Sequence, residues 1–198
     1  RGFGATDWYT PAYVGMAIGG VALIGVPAHL AEYRERGVLR RLRASSLQRL
    51  TMLTSQLVVA FAVATIGSGL LLAVAFPATE VGVPASVGLF LAAFVVAALC
   101  FSAFGILLGV VLPTARAAQS AGLLLWFLFM FVSGSGPPPE VLPESLARVG
   151  DYAPLTPVIK LLQEPWLTGE WATGQSLAVL AIGAVLSGFL ARDAAELS

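Results

Sequence analysis

Residues 32–49 read EYRERGVLRRLRASSLQR, and this stretch decides how the remainder of the chain must fold. It carries six arginines (Arg34, Arg36, Arg40, Arg41, Arg43, Arg49) against two acids, Glu32 and Glu35. On either side the sequence turns apolar for at least the roughly 18 residues that cross about 30 Å of hydrocarbon. A basic connection between two membrane spans stays on the cytoplasmic side, because lysine and arginine are held back from translocation. This one loop therefore orients the whole chain.

Composition agrees with a membrane assignment. Of 198 residues, 58% are apolar and 11% charged, where a soluble domain carries about 25% charged residues. The expected fold class is an all-α membrane protein, a polytopic helical bundle in one transmembrane domain covering residues 1–198. A net charge of zero gives no reason to expect nucleic acid as a partner. The single cysteine, Cys100, lies in an apolar run and reads as a packing residue, with no intrachain disulfide possible. Ten arginines stand against one lysine, Lys160, and alanine is abundant. That bias suggests a high-GC bacterial genome, hence the bacterial cytoplasmic membrane. RGFGATDWYTP at the start lacks the pattern of a signal peptide.

Working outward from the basic loop gives five spans, at about 13–30, 50–76, 87–111, 117–132 and 172–191. Trp8, Tyr9 and Tyr13 precede the first span like an interfacial belt. Gly15 and Gly19 form a small-residue step that lets another helix approach, and Pro27 is placed to kink the inner end. The second span, at 27 residues, is long enough to tilt or protrude. The outer segment, 133–171, opens with glycine and proline breakers. Leu142, Leu146 and Val149 fall at helical spacing on one short helix. A second short helix is expected over Thr156–Gln163, capped by Thr156, with Pro157 at its first helical position and Val158, Leu161 and Leu162 on its apolar face. The pair reads as interfacial or re-entrant on the outer leaflet. With the basic loop inside, Arg116 and Arg192 are inside too, making eight of eleven basic residues. Seven of eleven acids fall outside, so the charges satisfy the positive-inside rule. An outside N-terminus without a signal leads to the expectation of a further helix ahead of Arg1.

Several chemistries find no residues to carry them. One histidine, His29, excludes a two-histidine metal site within one chain. Ser135 and His29 fall at opposite ends of their spans, about 30 Å apart, whereas a nucleophile and its base must lie within about 3 Å. The phosphate-binding G-x-x-x-x-G-K-[ST] is missing. No span interior holds Asp, Glu, Lys or Arg, the groups that ion-coupled pumps place in the membrane. The chain is therefore not expected to be an enzyme, to hold a cofactor or metal, or to power transport by itself.

The stretch EYRERGVLRRLRASSLQRL resembles the type-2 ABC export permeases, including the daunorubicin-resistance-type drug exporters. Glu32, Arg34, Glu35, Gly37, Leu39, Arg41, Leu42, Arg43, Ala44 and Leu47 fit that family's pattern, while Ser45 and Ser46 replace its Thr-Pro. The likeness continues at LGVVLPTARAAQSAGLLL, Leu108 to Leu125, and through the L-P-x-x-L and P-L-T elements of the outer segment. The chain resembles the second to sixth of the family's six spans. The resemblance implies that 32–49 forms a coupling helix in the groove of a separate ATP-binding subunit, which holds ATP and Mg. The contact residues it implies are Glu32, Arg34, Glu35, Gly37, Leu39, Arg40, Arg41, Leu42 and Arg43. It also implies a second copy or paralogue of the permease, and a hydrophobic or amphipathic substrate, drug or lipid-like, exported through the bilayer. The alternative reading is a non-transporting membrane anchor or scaffold, which predicts no stimulation of any ATPase by hydrophobic solutes.

Overall fold

The computed structural model describes residues 4–36, 46–79, 81–133, 135, 143, 150, 153–171, 174, 177–178, 180–181 and 185. Among these, every regular element is a helix. Four helical stretches are long and apolar enough to cross a membrane: Ala5–Glu35, Thr54–Ala78, Val87–Val111 and Ala115–Val132. The chain is thus an all-α, polytopic membrane protein. The stripe Leu142, Leu146 and Val149 and most of the expected span 172–191 lie outside the described residues. Residues 174, 177, 178, 180, 181 and 185 are helical, and Leu180 is buried.

The first helix, α1 (Ala5–Gly20), starts eight residues before the expected span. Asp7 explains the difference. Its Oδ2 accepts the Gly4 N–H at 3.2 Å, half of a capping box, and its Oδ1 accepts the Gly82 N–H at 2.8 Å. The capping carboxylate thus also ties the helix start to the 81–86 link. Hydropathy alone sees only the apolar part of such a helix.

The helix does not stop at Gly20. It passes through one π-helical turn, Val21–Gly25, into α2 (Val26–Glu35). Pro27 accounts for the register change, because a proline has no N–H to give and its ring clashes with the carbonyl four residues back. Here the Val26 N–H donates five residues back, to the Val21 carbonyl. In that register the Ala22 carbonyl would face residue 27, and in the ordinary α register the Leu23 carbonyl would do so. Neither finds a donor there. Both carbonyls instead stand against glycines of neighbouring helices. An added Cβ at Gly105 would overlap the Ala22 oxygen, and one at Gly122 the Leu23 oxygen.

Those glycines belong to α4 (Val87–Val111) and α5 (Ala115–Val132). Between α2 and α4 runs α3 (Ser46–Ala78), 33 residues or about 50 Å long. It takes up the last four residues of the basic stretch. α4 ends at Leu112, whose extended backbone (φ −80°, ψ 137°) suits the residue before Pro113. α5 begins at once, with the Thr114 hydroxyl accepting the Ala117 N–H at 3.1 Å. The expected start at residue 117 omitted this capped first turn.

The next helix, α6 (Leu155–Leu167), packs its apolar face inside the bundle. It runs antiparallel between α1 and α4. Gln163 Nε2 donates to the Trp8 carbonyl at 3.0 Å, Ile159 faces Gly15, and Leu155 faces both Gly19 and the neighbourhood of Phe101. At its other end Trp166, 3% exposed, sits edge-on to Phe90 and stacks near Phe76. The Ala85 and Ser86 N–H groups donate to the Trp166 and Pro165 carbonyls. From residue 155 to 166 the helix rises about 17 Å, half of a 30 Å hydrocarbon layer. The expected cap also changes: Pro154 precedes the first turn, and the Thr156 hydroxyl donates to the Gly150 carbonyl at 2.5 Å. Thr156 thereby ties α6 to the chain leaving α5, because Gly150 itself packs on the Val132 carbonyl.

Candidate functional site

α2 ends within the basic stretch, and two residues of that stretch turn back onto their own chain. Helix C-termini present carbonyls without partners and a partial negative charge; N-termini present free N–H groups and a partial positive one. α4 ends and α5 begins within four residues, so both kinds of terminus sit side by side. Arg34 and Glu35 match them in order. Arg34 Nη1 donates to the carbonyls of Gly109 (3.4 Å), Val110 and Leu112 (3.2 Å). Glu35 Oε1 accepts the Ala115 N–H at 3.0 Å. The guanidinium thus closes α4 and the carboxylate closes the first turn of α5.

Packing under this polar clamp is tight. The Gly109 position lies against Pro27 Cα and Leu30 Cβ, near 3 Å from where a Cβ would stand. The Pro27 backbone and the Leu30 side chain fill the space there, leaving no room for a side chain at 109. Higher up, Trp126 Nε1 donates to the Met16 carbonyl at 3.1 Å and fixes α5 to α1.

Glu32 occupies a different place. Its Oε1 accepts from Arg36 Nη2 at 2.5 Å across one exposed helical turn, and its Oε2 lies 3.9 Å from His29 Nδ1. Exposed pairs of this sort contribute about 1 kcal/mol or less. His29 and Glu32 line an open cleft of about 720 Å³ with Glu35, Thr114, Arg116 and Gln119. The cleft separates the exposed face of α2 from the start of α5.

Of the residues for which the family resemblance implies an ATPase contact, Glu32, Arg34 and Glu35 are described. Gly37, Leu39, Arg40, Arg41, Leu42 and Arg43 lie outside the described residues. In sequence they fall between α2 and α3. The carbonyl cluster at 109–112, the Ala115 N–H and the glycine seats of the π-turn are not apparent from the sequence. The nearest signal is Leu112-Pro113-Thr114, a helix stop followed by a helix cap. Ser135 is buried and exchanges hydrogen bonds with Ser133 and the Met130 carbonyl. It lies past the far end of α5, about 27 Å of helix from the His29 cleft.

Comparison with known proteins comes down to one finding. A family model described as ABC-2 family transporter protein matches residues 3–192. A search of curated proteins finds no match.

Proposed function

Because the chain belongs to the ABC-2 family of transporter proteins, we propose that it is the permease subunit of an ATP-driven exporter, powered by a separate ATP-binding subunit. The observation that supports this reading, besides the family match, is the clamp at the end of α2, next in sequence to the arginine-rich connection. Just before that connection in sequence, Arg34 and Glu35 join the end of α2 to the α4–α5 turn by charged hydrogen bonds. Arg40, Arg41 and Arg43 make forked bonds to carboxylates of a partner, and Val38, Leu39 and Leu42 fill an apolar groove between them. Two permease copies act with two ATPase subunits in the bacterial cytoplasmic membrane. ATP binding draws the ATPases together, displaces the connection and tilts the helices attached to it. The cargo is a hydrophobic or amphipathic molecule, drug or lipid-like, which leaves past α6 and the exposed aromatics of α5, Phe127 and Phe131.

The test is affinity purification of the tagged chain from its native membrane, with the ATPase subunit that accompanies it. Replacing Arg40, Arg41 and Arg43 by Glu is expected to release that subunit while the permease keeps its melting profile. If ATPase binding and transport both survive the triple change, the coupling assignment fails.

A further inference from the structure

Arg34 and Glu35 belong to the same charged stretch as Arg40–Arg43, yet their side chains point to α4 and α5. We infer that they are positioning residues. They lock the end of α2 to the α4–α5 turn, so that a displacement of the connection beyond Gly37 moves α4 and α5 as one body with α2. This rests on the function proposed above and assigns these two residues away from the ATPase surface.

Three observations carry the inference. First, the signs match: a cation sits on the C-terminus of α4 and an anion on the N-terminus of α5, each where the helix dipole favours it. Adjacent residues therefore hold two helices that a four-residue turn already brings together. Second, the contact beneath is close: a Cβ at Gly109 would stand 3.0 Å from Pro27 Cα and 2.9 Å from Leu30 Cβ, so the α4 backbone rests directly on α2. Close-packed atoms transmit displacement, whereas a layer of long side chains absorbs it by changing rotamer. Third, the clamp stands at the point where α2 ends. At Arg36 the backbone has already left the helical region (φ −73°, ψ 0°). Without Arg34 and Glu35, movement of the connection would be lost in bending this junction.

One bond of the clamp can be removed from either side. Glu35→Ala removes the acceptor. Ala115→Pro removes the N–H donor alone, because residue 115 is the first of α5, where proline is tolerated. The preceding Thr114 (φ −132°, ψ 153°) already has the extended backbone that a following proline demands.

The experiment uses the purified complex with its ATPase subunit in lipid nanodiscs. Cys100 is replaced by Ala, and spin labels are placed at Leu124→Cys on α5 and Ile66→Cys on α3, both exposed positions (71% and 63%). The distance between labels is measured without nucleotide and after trapping with ATP and vanadate. The unmodified clamp is expected to give a nucleotide-dependent change. Glu35→Ala, Ala115→Pro and the double variant should each lose most of that change, and to the same extent, since all three delete one bond. Their nucleotide-free distances and their bound ATPase should be unaltered. A full change in Ala115→Pro overturns the inference. So does release of the ATPase by Glu35→Ala or Arg34→Gln, which would make these residues partner contacts and leave the proposed function standing. If the Arg40, Arg41 and Arg43 to Glu variant keeps its ATPase, the function reading falls and the inference with it.

Discussion

Placing a methyl group at Gly105 tests how the first span holds its shape. The Cβ of Gly105→Ala would overlap the Ala22 carbonyl oxygen and approach Val26 Cβ at 3.1 Å. Alanine gains roughly 1 kcal/mol over glycine in a helix, while overpacking costs about 1–3 kcal/mol. Neither partner at the overlap is a flexible side chain, because the Ala22 oxygen is backbone and α4 is held at both ends. The cost therefore belongs at the upper end, for a net loss of about 2 kcal/mol. In a chain of this length that lowers the midpoint by about 4–8 °C. Thermal unfolding in detergent, followed by loss of the monodisperse species, reads the shift. Gly67→Ala is the control, since nothing lies within 4 Å of its Cβ; it should be neutral or stabilising. Gly122→Ala should resemble Gly105→Ala, because its Cβ meets the adjacent Leu23 carbonyl. The two costs should add to less than their sum, since displacing the π-turn for one makes room for the other. A Gly105→Ala protein that melts with or above Gly67→Ala would refute the account of this seat.

Three smaller predictions follow from single bonds and from topology. Trp126→Phe removes the indole donor to the Met16 carbonyl and should cost about 1 kcal/mol in the same unfolding assay, with α1 loosening from α5. Asp7→Ala frees both Gly4 and Gly82 N–H groups; it should lower stability by about 1–2 kcal/mol and raise hydrogen exchange at residues 4–7 and 82. In sealed right-side-out vesicles, a cysteine at residue 39 should resist an impermeant maleimide, and one at Thr168 should react.

Much of this architecture is legible in the sequence because hydropathy and arginine placement act locally. Charge-free runs longer than a bilayer demand helices, and the charged stretch at 32–49, whose ends the structure gives to α2 and α3, cannot be mistaken for a span. What stays hidden depends on partners far away in the chain. Asp7 caps α1 and takes a bond from Gly82, 75 residues on, so the helix starts before its apolar part. Pro27 announces a kink, but that the kink becomes a π-turn depends on Gly105 and Gly122 offering space for two carbonyls. α6 has an apolar face consistent with lying on a membrane surface; its burial follows from the small Gly15 and Gly19 opposite it. Arg34 and Glu35 look like the other charges of their stretch. Only the nearness of two helix ends, 75 to 80 residues away in the chain, gives them a separate task.

The central claim is that the connection after Gly37 receives work from an ATPase. The most direct measurement is photo-crosslinking from a benzophenone amino acid placed at Leu39 or Leu42 in the intact complex, with Leu124 as the membrane-facing control. The account predicts an adduct with the ATP-binding subunit from the two loop positions and none from Leu124. Adducts to lipid alone from Leu39 and Leu42, with the ATPase subunit present, would contradict it.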